Sequence, residues 1–318
     1  MSEIVGRRTM SKLGWLMLTT VLVFVGLFAA YRYALATNGV ALLDRVDRLI
    51  GGTAGTRLVL QDGRFGPLPA QRVDVVVPDG VVAGLRPVVI FIHGGGWRSG
   101  SPADYHFMGR TLARAGYVAV LPGYRLTPKG VFPHMLEDSA KAVAWTRKNA
   151  ARFGGDADRI VLMGQSAGAY NVAMLGLERQ WLGREGIPET AIKGVVGLSG
   201  PYDFLPFDSE SAMLAFGHVK PAEITQPIRY VRSDAPPMLL LTGDADTTVK
   251  PRNTRIMAAA LTKAGSLVQS VIVPGASHED TVMKLAVPFS RDRRVIDPVL
   301  AFLATRTRPS APVQTARR

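Results

Sequence analysis

The chain has 318 residues, 47% of them hydrophobic and 20% charged, a composition that suits a globular domain with a large core and excludes a disordered or fibrous chain. It has no cysteine, which excludes disulfides and thiolate metal sites. The formal charge of +13 comes with no nucleic-acid-binding motif, so nucleic acid is not an expected partner.

At the amino terminus Arg7, Arg8 and Lys12 precede an uncharged apolar run at residues 13–30. As a helix rising 1.5 Å per residue, such a run spans roughly 27 Å, close to the hydrocarbon thickness of a bilayer. The basic residues before it outweigh Arg32 after it, which favours a cytoplasmic amino terminus. The expectation is an N-terminal transmembrane helix acting as a signal anchor, with the following domain outside the cytoplasm. Ala34-Leu35-Ala36 has the small-x-small pattern of a cleavage site, so the alternative is a signal peptide and a secreted or periplasmic product.

Residues 1–36 therefore read as anchor or signal peptide, and 37–70 as a linker with a short helix at 41–50 that Gly51-Gly52 stops. Residues 71–305 read as one α/β domain, and 306–318 as a disordered basic tail. The domain opens with the alternating segment Arg72-Val73-Asp74-Val75-Val76-Val77-Pro78. Apolar runs then predict strands at 87–92, 117–121, 159–163, 193–198, 238–242 and 268–273. Between and after them, periodic segments predict helices at 104–115, 135–151, 167–178, 252–264 and 294–304. Such alternation predicts a mostly parallel sheet covered on both faces. The proline-rich stretch 201–236 reads as a cap-like insert over the sheet edge, where Phe204, Leu205, Phe207, Met213, Leu214 and Phe216 line a pocket or form the insert's own core.

Chemistry follows the ends of four of these strands. Val88-Val89-Ile90-Phe91-Ile92 runs into His93-Gly94-Gly95-Gly96-Trp97. Consecutive glycines let main-chain N–H groups face a ligand, as an oxyanion requires. The next motif, Gly164-Gln165-Ser166-Ala167-Gly168, sits on a predicted strand-to-helix turn, the pattern that exposes a serine nucleophile. The N–H of Ala167 would be one oxyanion donor, and that of Gly94 or Gly95 the other. After the strand at 238–242 come Asp244 and Asp246. Asp246 lies further into its loop and is the better candidate to orient a histidine, while Asp244 suits a turn brace.

A serine needs a base, and the chain has five histidines. His93 belongs to the glycine loop, and His106, His134 and His218 have no motif around them. His278 follows a strand and the Pro274-Gly275 turn, and is the candidate base. Trp97, Gln165 and Tyr202 are candidate substrate contacts, with packing the alternative for Trp97.

With Tyr124-Arg125-Leu126, Phe132-Pro133, Asp138, Phe153-Gly154-Gly155-Asp156 and Leu198-Ser199-Gly200-Pro201-Tyr202-Asp203, these motifs resemble the α/β-hydrolase superfamily. Within it they resemble the small carboxylesterases of the hormone-sensitive-lipase-like and feruloyl-esterase-like groups. The resemblance implies the α/β-hydrolase fold and a Ser166-His278-Asp246 triad, with an oxyanion hole of Gly94, Gly95 and Ala167. It also implies a small-molecule ester substrate of short to medium acyl chain, and no metal or cofactor. The same triad serves amide and formamide hydrolases, deacetylases and peptidases, so chemistry is better fixed than substrate. A membrane-tethered binding protein that has lost activity is the reading from another class, and the presence of all three triad candidates argues against it.

Overall fold

Leucine, valine and isoleucine runs without polar alternation can be buried on both faces of a parallel sheet, and here they form its centre. The structure is a computed structural model describing residues 11–80 and 83–308, and within these all side chains except those of 27–38. Its strands are β1 (Thr56–Arg64), β2 (Arg72–Pro78), β3 (Arg86–Ile92), β4 (Val118–Pro122), β5 (Gly155–Gln165), β6 (Ile192–Leu198), β7 (Met238–Gly243) and β8 (Val268–Val273). They form one sheet in the order β1-β2-β4-β3-β5-β6-β7-β8. The β1–β2 and β2–β4 pairs are antiparallel, and every pair from β4 to β8 is parallel.

The helices are α1 (Lys12–Gly51), α2 (His106–Arg114), α3 (His134–Asn149), α4 (Ala167–Leu177), α5 (Arg179–Arg184), α6 (Glu210–Phe216), α7 (Arg252–Lys263), α8 (Asp280–Met283) and α9 (Arg293–Arg306). Every residue of α4 is buried, which explains its lack of a polar face. From β3 the chain crosses by α2 to β4 on one side, and β5 lies against β3 on the other. This reversal opens a crevice at the carboxyl ends of β3 and β5, the usual binding place in an open α/β sheet. The glycine loop leaves β3 there and the serine turn leaves β5, and Ile92 pairs with Gly164 in register.

The amino-terminal half differs from the sequence reading. The chain divides into two units between Leu42 and Leu43, so residues 43–70 belong to the larger unit and are not a linker. β1 falls within that stretch. It is an exposed edge strand whose register shifts twice against β2, and an edge with irregular register carries no clean alternation to read. The short helix expected at 41–50 is the end of α1. The tail beyond Arg308 lies outside the described residues.

Among the described residues no helix is long and apolar enough to cross a membrane. The span expected at 13–30 falls inside α1, and it extends past residue 26 into positions whose side chains lie outside the described set.

The carboxyl end of α1 is tied into the larger unit by a buried charge cluster. Asp47 Oδ2 accepts from Arg110 Nε at 2.9 Å and Nη2 at 2.6 Å, and its Oδ1 accepts from Val287 N at 2.7 Å. Asp44 Oδ1 takes a further bond from Arg110 Nη2 at 2.8 Å. Removing one partner of such a cluster strands the other charge. Asp47→Ala is therefore expected to lower the unfolding free energy by about 3 kcal/mol in urea denaturation, against less than about 0.5 kcal/mol for the exposed Arg45→Ala.

Candidate active site

Ser166 sits between β5 and α4 with φ 53° and ψ −121°, a strained conformation for a side chain with a Cβ. Its neighbours make the turn possible. A Cβ on Gly164 would lie 2.3 Å from the Gly168 carbonyl oxygen, and one on Gly168 would lie 2.0 Å from that of Ile92. Glycine alone fits at both places, and the turn thrusts the serine side chain out at the sheet edge. Its backbone is pinned by Ser166 N donating to Leu198 O at 2.8 Å.

Ser166 Oγ donates to His278 Nε2 at 2.9 Å, and His278 Nδ1 donates to Asp246 Oδ2 at 2.8 Å. Three residues far apart in sequence are thus brought into one hydrogen-bonded line. Asp246 Oδ1 accepts from the N–H groups of Thr248 at 3.0 Å and Val249 at 2.8 Å, which fixes the carboxylate plane. Burial pushes the Asp246 carboxyl up, but the His278 ring, the Val249 N–H and the Ser199 hydroxyl outweigh it and hold it below the ordinary carboxylate value. Asp244 is exposed and accepts from Gly275 N at 2.6 Å, bracing the turn before His278 without reaching its ring.

The glycine loop lies across this line. A Cβ on Gly94 would come within 3.0 Å of the Gln165 carbonyl oxygen and 3.2 Å of Ser166 Cβ, so the loop passes close over the serine turn. The Gly94 carbonyl accepts from His93 Nδ1 at 2.8 Å. Peptide planarity then turns the Gly95 N–H to the opposite side. Ala167 opens α4, and no carbonyl within the helix can accept its N–H.

His93 braces the loop. It is buried, stacks on Tyr124 with ring centroids 4.5 Å apart, and its carbonyl accepts from the Tyr124 hydroxyl at 3.1 Å. Burial brings its pKa down to about 4, so its ring is neutral at pH 7. The remaining histidines lie elsewhere: His106 bonds Asp74 at 2.6 Å, His218 faces the Phe132 carbonyl at 3.0 Å, and His134 starts α3.

The three candidate substrate contacts have different surroundings. Gln165 is buried and points its Nε2 at His278 Nε2, 3.3 Å away. Trp97 is buried in an aromatic cluster, edge-on to Phe216 at 4.8 Å and Tyr170 at 5.4 Å, with its Nε1 donating to Asn171 Oδ1 at 3.3 Å. Tyr202 is fully buried, and a Cβ on Gly197 would lie 2.0 Å from its hydroxyl, so its side chain lies against β6. Phe204 and Phe207 join the cluster around Phe216, while Met213 and Leu214 of α6 are exposed. Among the described residues no group of His, Asp and Glu could hold a metal ion.

Sequence reasoning missed the hydroxyls of Ser199, Thr242 and Thr281, which are buried behind Asp246 and His278. Isolated serines and threonines have no spacing pattern. The one available signal is that Ser199 immediately follows β6, as Ser166 immediately follows β5.

Residues 73–261 match the BD-FAE family model. The chain belongs to this family. Among curated proteins, the BD-FAE chain is 29% identical over 241 residues to "Isoprenylcysteine alpha-carbonyl methylesterase ICME" of Arabidopsis thaliana, covering 69% of this chain and 56% of that protein. It is 31% identical over 245 residues to "Esterase LipQ" of Mycobacterium tuberculosis, covering 71% of this chain and 57% of that protein. The chain thus spans a little over half the length of these relatives. Among solved structures, a truncated carbohydrate esterase from gut microbiota superposes with a TM-score of 0.66 at 20% identity, over 80% of this chain and 97% of that one. Esterase 2 of Thermogutta terrifontis superposes with a TM-score of 0.62 at 22% identity, over 81% of this chain and 98% of that one. These likenesses show the α/β-hydrolase fold.

The close approach at the serine turn makes a direct prediction. Gly168→Ala is expected to lower stability by about 2 kcal/mol or more in thermal unfolding, because the obstacle is backbone. Gly183→Ala, in α5 with open space around the added methyl, is expected to be neutral or stabilising by up to about 1 kcal/mol.

Proposed function

We propose that this chain is a serine carboxylesterase acting through an acyl-enzyme. The observation that carries the reading is the unbroken line Asp246–His278–Ser166, with contacts of 2.8 and 2.9 Å. An ester carbonyl binds with its carbon over Ser166 Oγ and its oxygen toward the N–H groups of Ala167 and the glycine loop, Gly95 foremost and Gly94 beside it. His278 Nε2 takes the Ser166 proton as Oγ attacks. Asp246 keeps the ring in the Nδ1–H tautomer and balances the imidazolium charge. The tetrahedral intermediate collapses, His278 Nε2 gives its proton to the leaving alkoxide, and the alcohol departs. Water enters and loses a proton to the same nitrogen as it attacks the acyl-serine; His278 Nε2 returns that proton to Ser166 Oγ as the acid departs.

The relatives support an ester over an amide: one is named a methylesterase and another an esterase. Structures of the Thermogutta terrifontis esterase hold propionate and butyrate, in keeping with short to medium acyl chains. Phe204, half-buried and packed on Trp97 and Phe216, gives such a chain an apolar wall.

The amino-terminal part of α1 is proposed to hold the enzyme at a lipid surface, with the larger unit outside the cytoplasm. The support is the uncharged run itself and the exposure of Leu13, Trp15, Met17 and Phe24 along its described part. A chain without cysteine makes this simple to test. A single Lys263→Cys on the exposed side of α7 is expected to react with a membrane-impermeant maleimide in intact cells. Labelling only after lysis would contradict the proposed orientation.

The catalytic proposal is tested with p-nitrophenyl esters from acetate to palmitate. Activity is expected to peak at the short end. Ser166→Ala should remove turnover to below about 10⁻³ of the parent, and Asp246→Asn should cost on the order of 10³–10⁴ in kcat, while Asp244→Asn stays within about threefold. A loss caused by Asp244→Asn equal to that of Asp246→Asn would overturn the assignment of the acid.

A further inference from the structure

Among the described residues four non-glycine positions have left-handed backbone: Asp62, Trp97, Ser166 and Ser199. Trp97 ends the glycine turn and Ser166 is the elbow. Ser199, at φ 49°, has no such turn motif around it, yet it is fully buried at the carboxyl end of β6. A left-handed backbone favours glycine, and glycine follows at the next position. A non-glycine residue persists in such a conformation where the surrounding structure holds it, often at a functional site.

What holds Ser199 is a chain of buried hydroxyls. Its N–H donates to Leu241 O at 2.7 Å, which sets it beside β7. Its Oγ lies 3.3 Å from Thr242 Oγ1 and 3.2 Å from Thr281 Oγ1. Thr242 Oγ1 is 3.4 Å from Asp246 Oδ2, the same oxygen that receives His278 Nδ1–H. At the other end, Thr281 Oγ1 is 2.9 Å from the His278 carbonyl. That carbonyl can only accept, so Thr281 donates to it, and the single Ser199 proton goes either to Thr281 Oγ1 or to Thr242 Oγ1, whose own proton faces Asp246. The three hydroxyls thus lie in one line of close contacts between the Asp246 carboxylate and the His278 main chain, their three protons shared over its four contacts. That line ties together the loops after β6, β7 and β8, which share no covalent link nearer than tens of residues.

We propose that Ser199 and Thr281 are positioning residues that hold Asp246 and His278 in the relative orientation Ser166 needs for proton transfer. The inference rests on the serine-esterase reading above. Neither hydroxyl need touch substrate. Each acts by removing freedom from a side chain or main chain that does, and a misplacement of about 1 Å in such a line can cost on the order of 10²-fold in rate.

The test compares Thr281→Val, Thr281→Ser and Ser199→Gly in the full chain, with p-nitrophenyl acetate as substrate. Valine has the shape of threonine without its hydroxyl, and glycine accepts the left-handed backbone that serine strains to adopt, so Ser199→Gly reads the missing hydroxyl without a conformational penalty. For Thr281→Val and Ser199→Gly, kcat is expected to fall on the order of 10-fold or more with KM unchanged, and Thr281→Ser is expected to return within about threefold of the parent. Two results would overturn the inference: kcat within about twofold of the parent in both hydroxyl-free variants whatever their melting temperatures, or a Thr281→Ser variant as slow as Thr281→Val. Failure of the underlying reading shows in a different sample, since an unmutated chain whose hydrolysis does not depend on Ser166 would remove the esterase scheme and this inference with it.

Discussion

The whole site depends on one close approach of backbone to backbone, where α4 meets the end of β3 at Gly168. A single methyl group there would sit 2.0 Å from the Ile92 carbonyl oxygen. Because none is present, the start of α4 can lie against β3, and the serine turn comes under the glycine loop that leaves β3. Parallel pairing does the rest. With β3, β5, β6, β7 and β8 side by side, their carboxyl ends form a row, and each chemical group needs only a short loop to reach its neighbour.

Polar groups inside the protein reinforce this row. Asp138, fully buried, accepts from Gln71 Nε2 at 2.7 Å and from Arg125 N at 2.9 Å and Nε at 2.7 Å. That fixes the segment after β4, from which Tyr124 stacks on His93 and donates to its carbonyl. The glycine loop is thus steadied from behind by a neutral histidine and a buried ion pair, neither of which needs to reach the reacting atoms. The same logic applies on the far side, where hydroxyls steady Asp246 and His278. Buried polar groups are costly when unpaired, and here their partners are supplied by different loops, so satisfying them also fixes the loops relative to one another.

The parts of this arrangement legible in the sequence are those where chemistry demands an unusual residue. Gly164 and Gly168 flank Ser166 because no other residue fits. Gly95 and Gly96 take left-handed backbone, with φ of 106° and 58°, and His278 stands out because His93 belongs to the glycine loop and the other three histidines lack a motif. The choice of Asp246 over Asp244 follows from loop reach, and the structure shows the physical difference: one carboxylate is buried against the imidazole while the other holds the Gly275 N–H. The edge strand β1 escaped reading because half-solvated, bulged strands carry no period. The continuity of α1 from an apolar run into an amphipathic end was hidden by the change in its pattern. The hydroxyl chain was invisible because serine and threonine occur everywhere. Only three-dimensional neighbours distinguish Ser199 and Thr281 from surface residues of the same type.

The most direct measurement is the intact mass of the protein quenched in acid during turnover of p-nitrophenyl butyrate, followed by peptide mapping. The account predicts a species heavier by one butyryl group, with the addition on the peptide that contains Ser166 and absent from Ser166→Ala. Turnover with no acylated species, or with the acyl group carried by another residue and retained in Ser166→Ala, would contradict it.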